Sequence, residues 1–136
     1  MHKLALMLLA VVSCNVSAEW LEVGTVNSRG GYTVYADPST FSKTGNVAKI
    51  WSLSDYKTAQ TELSGISFLS AMTLTQYDCE REQVLNLAVS FHSENMRRGD
   101  VISSFTFNDQ DWRPVWPGST DERLWKLVCG KFNKGE

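Results

Sequence analysis

Between Gln83 and His92 the side chains alternate in kind: Leu85, Leu87, Val89 and Phe91 fall on one side, Asn86, Ala88 and Ser90 on the other. A period of two marks a strand buried on one face only. Trp20 to Asn27 alternates more loosely and stops at Ser28-Arg29-Gly30-Gly31, a glycine-bearing hairpin signal. Tyr32 to Ala36 is β-branched and aromatic, and Asp37-Pro38-Ser39 is expected to end it, because proline cannot donate to a ladder. Thr44-Gly45-Asn46 turns the chain into a third strand, Val47 to Tyr56, and Lys57 to Gly65 reads as a polar loop. Ser67 to Cys79 is a fourth strand, long enough to bend or carry a bulge. Met96-Arg97-Arg98-Gly99-Asp100 reverses the chain into a sixth strand, Val101 to Phe107. Asn108 to Gly118, with two prolines and two tryptophans, reads as a structured loop.

The last element changes period. Ser119 and Glu122 have the spacing of a capping box, with Thr120 an equally good cap. Leu124, Trp125, Val128, Cys129 and Phe132 then recur at three- and four-residue steps, one apolar helical stripe. The expected fold is therefore α+β: an antiparallel sheet of about six strands packed by a C-terminal α-helix, with one disulfide. Cys129 lies on the stripe, and Cys79, closing the fourth strand, is placed to pair with it. Trp51 and Trp125 are expected to build the core.

The start of the chain has another logic. Lys3, an apolar run from Leu4 to Val12, and Val16-Ser17-Ala18 ahead of Glu19 describe an export signal cleaved after Ala18. The apolar run is about half the ~20 residues that span a bilayer. The expected organisation is a signal peptide, residues 1–18, and a single domain, residues 19–136. Val11-Val12-Ser13-Cys14 also fits, loosely, the box that directs lipidation of an exported bacterial cysteine, so Cys14 is an alternative anchor. Either route leaves Cys79 and Cys129, an even number in an oxidising compartment. Removing Lys3 from the 13 basic residues leaves 12 against 15 acidic ones, a formal charge of −3. Nothing in that field would attract nucleic acid or an anionic membrane, so membrane contact is expected only through a lipid on Cys14.

Little in the sequence carries chemistry. His92 is the one histidine after residue 18, and with both cysteines paired there is no set of metal ligands. No G-x-S-x-G elbow, P-loop or G-x-G-x-x-G occurs. No enzyme activity, cofactor or metal is expected. Asp109 and Asp111 lack the spacing of a calcium loop. Trp112 and Trp116 flank Arg113-Pro114, and exposed rings can stack on sugars or small molecules, with Arg113 lying over either ring. Arg98-Gly99-Asp100 spells the tripeptide that integrins read, in a predicted hairpin whose glycine and aspartate are ordinary turn residues.

Five pieces then carry a resemblance: Trp20 to Val23, Val34 to Asp37, Trp51 to Tyr56, Gln76 to Cys79, and Trp116 to Ser119 running into Leu124 to Cys129. In this order, and with both cysteines, they resemble the bacterial surface-adhesin protein E family. The resemblance implies the same sheet, helix and Cys79–Cys129 bridge. It also implies a non-enzymatic Gram-negative protein, exported to the periplasm or outer surface, acting by protein–protein contact with a host or envelope protein, and a homodimer. The adhesive stretch of the namesake adhesin looks basic. Its counterpart here, Thr58 to Glu80, holds no Lys or Arg, and no binding residue carries over. The alternative is a small-molecule or glycan-binding module built on the Trp112–Trp116 loop.

Overall fold

The computed structural model describes residues 19–62 and 64–130; the expected leader with Cys14, and Phe132, lie outside the described residues. Six strands follow one another as an antiparallel meander: β1 (Leu21–Val26), β2 (Tyr32–Thr44), β3 (Val47–Thr61), β4 (Ser67–Asp78), β5 (Gln83–His92) and β6 (Val101–Thr106). A two-residue strand, β7 (Arg113–Pro114), pairs with the start of β5 beyond the end of β6. Helix α1 (Thr120–Cys129) closes the chain. The expected architecture is the one observed.

Two elements run further than their sequence indicates. Asp37-Pro38-Ser39 does not end β2, which continues to Thr44. Pairing passes from Asp37↔Trp51 to Ser42↔Lys49, so three extra residues of β2 bulge out and carry Pro38 where no ladder donor is needed. The Trp51 N–H instead donates to Thr40 Oγ1 at 3.0 Å. Lys57 to Thr61 is likewise strand rather than loop, after a second bulge between Asp55↔Ser70 and Gln60↔Phe68. Its exposed polar side chains gave no alternation to read, but Lys57 N–H is taken by Gly31 C=O and Gln60 Nε2 by Arg29 C=O.

Strand β5 is bulged too. Thr75 faces Asn86 and Leu74 faces Ala88, leaving Leu87 as the extra residue. The single face expected for Leu85, Leu87, Val89 and Phe91 is therefore broken. Val84 and Asn86 share a face with Val89 and Phe91, while Leu85 joins Ala88, Ser90 and His92 on the other.

Helix α1 covers one face. Its N-cap is Ser119, whose Oγ accepts from Glu122 N–H at 3.1 Å, and Asp121 and Glu122 stand in the first turn, where the dipole favours acids. Leu124 and Val128 pack with Val34, Ala36, Ala48, Ile50, Tyr77 and Val84 into the main core. Trp125 packs at its margin and donates from Nε1 to Asp78 C=O at 2.9 Å. The Arg123 guanidinium reaches from α1 over Gly24 on β1, into the space a Cβ would take. Cys79 and Cys129 are disulfide-bonded, with Cα atoms 5.4 Å apart, and fasten the end of β4 to the last turn of α1.

Farther along this face, rings replace the helix. Tyr32, Tyr56, Phe68, Phe91 and Phe105 meet in succession at centroid separations of 4.9, 5.7, 4.6 and 6.4 Å. Tyr56 and Phe68 are buried, and Phe105 on β6 is exposed. Trp51 belongs to neither group. It lies opposite Asp37 and beside Leu74, on the face away from the helix, because Ile50 and Ser52 take the inner positions.

Candidate functional site

The open face has its own cover. After β5 the chain folds through a short turn, Asn95–Arg97, laid across β3 and β4. Asp55 Oδ1 accepts from Met96 N–H at 2.7 Å and from Asn95 Nδ2 at 3.1 Å. Ser70 Oγ donates to Glu94 C=O at 2.6 Å and accepts from Arg97 N–H at 3.0 Å. Those bonds hold Met96 and Arg97 in consecutive left-handed conformations, φ 54° and 63°, a strain that persists only where the surroundings over-determine it.

Between this turn and the β2 bulge the cover stops short. It leaves a half-open cavity of about 360 Å³ lined by Asp37, Thr40, Trp51, Met72, Ser90, His92, Arg97 and Val101. That volume sits at the lower end for sites that bind small ligands. Asp37 is buried, and its Oδ1 accepts from Ser39 N–H at 3.1 Å and Ser39 Oγ at 2.6 Å. His92 is 4% exposed; its Nε2 bonds Ser90 Oγ at 2.8 Å, and its buried Nδ1 has no partner among the described residues. Burial, and then the nearby Arg97 charge, push the His92 pKa below 6.5, so the ring is neutral at pH 7.

Sequence reasoning missed this cavity, although it had noted Trp51 and His92 separately. Simple alternation along β5 puts Ser90 and His92 on one face, but nothing local joins them to Asp37 and Trp51.

In the Trp112–Trp116 loop Arg113 sits in β7, and its guanidinium is held by Asp121 at 3.2 Å and Asn86 at 3.4 Å. Trp112 is half-buried and Trp116 is 66% exposed, its backbone tied to the helix cap through Ser119 Oγ at 2.6 Å. Arg98, Gly99 and Asp100 are all exposed. Gly99 has φ 78°, and a Cβ there would collide with Ser93 Oγ. The loop is closed by Ser93 N–H to Asp100 C=O at 3.0 Å and by Asp100 N–H to Ser93 Oγ at 2.8 Å.

Among the described residues no group of three or more His, Cys, Asp or Glu could hold a metal, and no helix is long and apolar enough to cross a membrane. The family model described as surface-adhesin protein E matches residues 20–130. The fold is similar to the structure of Haemophilus influenzae protein E, at 12% identity and a TM-score of 0.62, covering 90% of this chain and 92% of that one. A crystal structure of protein E from non-typeable Haemophilus influenzae is similar at 10% identity and a TM-score of 0.61, covering 90% and 82%. At such identities the likeness is one of fold. No curated protein matches the chain.

Proposed function

The chain belongs to the surface-adhesin protein E family, and from that premise we propose that it is an exported, non-enzymatic domain that works by protein–protein contact in the periplasm or at the cell surface. Family and disulfide together favour export, since a bridge persists where no reducing pool reaches it. Cleavage after Ala18 gives the soluble form, and a lipid on Cys14 gives the anchored one.

The observation that carries this reading is the edge strand β6, VISSFT. It has no charge and no proline, two of the devices that blunt an edge, although its pairing shifts register between Phe91↔Ser103 and His92↔Val101. Val101 is 61% and Phe105 49% exposed on it. Such an edge can take a strand from a partner, main-chain bonds giving affinity and side chains giving choice. The partner is a host or envelope protein, or a second copy in a homodimer. The basic route of the namesake adhesin is not needed, which accords with Thr58 to Glu80 holding no Lys or Arg.

The test is surface binding to matrix, serum and envelope proteins by the unaltered protein and by Ser104→Pro, which disturbs the outer edge of β6. Saturable binding lost in the variant is expected, with light scattering to count copies. Binding to none of them, together with a monomer, would remove this reading. A second reading rests on Trp116 at 66% exposure: a glycan or small molecule stacks on the Trp112–Trp116 loop. Changing both tryptophans to alanine would then abolish glycan affinity while the fold survives.

A further inference from the structure

The chain reversal between β5 and β6 exposes Arg98, Gly99 and Asp100 together, and the fold uses only their backbones. Arg98 N–H donates to Asn95 C=O at 3.1 Å, and Arg98 C=O accepts from Glu94 N–H at 3.2 Å. Asp100 is bonded to Ser93 through both its N–H and its C=O. The two charged side chains are left over: among the described residues neither the Arg98 guanidinium nor the Asp100 carboxylate has a hydrogen-bond or ion-pair partner. Gly99 between them has φ 78° and no room for a Cβ against Ser93 and Glu94, a position that glycine alone fills without strain. Just upstream, Asp55 and Ser70 anchor the turn to the sheet. Opposite charges are thus displayed on a backbone that is closed at its neck and fixed at its base. A loop ordered before it binds loses little conformational freedom on binding.

We propose that this loop is an integrin-binding site, presented by the surface-located form of the protein. An integrin meets such a tripeptide with a divalent cation, for which a carboxylate is a fitting hard ligand, and with carboxylates of its own that pair with a guanidinium. Asp100 supplies the carboxylate and Arg98 the guanidinium, while Gly99 lets the receptor come close to the backbone. The proposal rests on the protein-contact reading and names a host receptor as the partner, through residues that lie outside β6.

The experiment measures binding of the protein to immobilised ectodomains of integrins that read Arg-Gly-Asp, in buffer containing magnesium and manganese. Saturable binding is expected, displaced by the free peptide Gly-Arg-Gly-Asp-Ser and lost in EDTA; no group of described residues in this chain could itself hold a metal for EDTA to remove. Asp100→Glu keeps the charge and both backbone bonds to Ser93 but moves the carboxylate one methylene outward, so it should bind about tenfold more weakly or worse. Arg98→Gln removes the guanidinium and should weaken binding by a similar factor. Amide NMR spectra of both variants, matching the unaltered protein outside the loop, separate a lost contact from a lost structure. No saturable binding at about 10 µM, binding that survives EDTA, or equal binding by Asp100→Glu would overturn the proposal. Capture of matrix or envelope proteins that Ser104→Pro abolishes, with the integrins left unbound, would overturn it alone and leave the protein-contact reading standing; binding to nothing would remove both.

Discussion

On one face of the sheet a ten-residue helix packs Leu124 and Val128 into a continuous apolar core and is fastened there by a disulfide. On the other face a short turn is held by hydrogen bonds to Asp55 and Ser70, and beside it lie a half-open cavity and a buried histidine. The first face is apolar burial plus a covalent link, which changes little with small motions. The second is polar, strained and incompletely filled, the kind of structure drawn from the low-stability end of a fold and used for binding. One sheet thus separates a covalently fastened apolar face from a polar, incompletely filled one.

Breaking the bridge tests that separation most strongly. Cys129→Ser opens a loop of 50 residues, which the chain-entropy model values at about 4 kcal/mol. Urea unfolding of the two proteins under non-reducing conditions measures it. Hydrogen exchange should accelerate first in α1 and the end of β4, while the amides of Met96 and Arg97 keep their protection relative to the global value. Equal loosening of both faces would show that the sheet couples them.

Asp55→Ala acts from the other side. It strips the acceptor from Met96 N–H and Asn95 Nδ2, and a donor left without a partner costs about 1–3 kcal/mol. The amides of Asn95 to Arg98 should exchange faster, with helix protection unchanged apart from the global loss. If the turn stays protected, Ser70 alone fixes it.

How much of this was legible follows the same division. The helix stripe, its Ser119 cap, the bridge and the six strands could be read because period, cap chemistry and cysteine count each act locally or by parity. The open face could not, because it depends on bulges. Three extra residues after Asp37, three after Asp55 and one at Leu87 shift which side chains share a face, and a period-two reading has no term for an inserted residue. Pro38 marks the first bulge, where proline chemistry alone predicts a stop. Size alone predicts Trp51 in the core, but its alternation with Ile50 points it away from the helix. The cavity residues come from β2, β3, β4, β5, the turn after β5 and the first residue of β6, so no local stretch announces them.

The smallest expected effect separates the faces by proton. Burial and Arg97 lower the His92 pKa in the folded protein, so the unfolded chain binds a proton first as pH falls. Stability from this group is therefore complete above the unfolded value of about 6.5 and declines as pH drops through and below it. Thr40, Ser90 and the Arg97 guanidinium line the cavity with His92, and Asp37 is the carboxylate there. His92→Gln removes the titration and keeps a hydrogen-bonding side chain of similar reach beside Ser90. Urea midpoints between pH 7.5 and 5.5 should fall in the unaltered protein and fall less in the variant, with any stability lost by the substitution itself appearing as a constant offset. An identical pH slope in both would place the acid sensitivity elsewhere, and the ring of His92 would then be as easily protonated folded as unfolded.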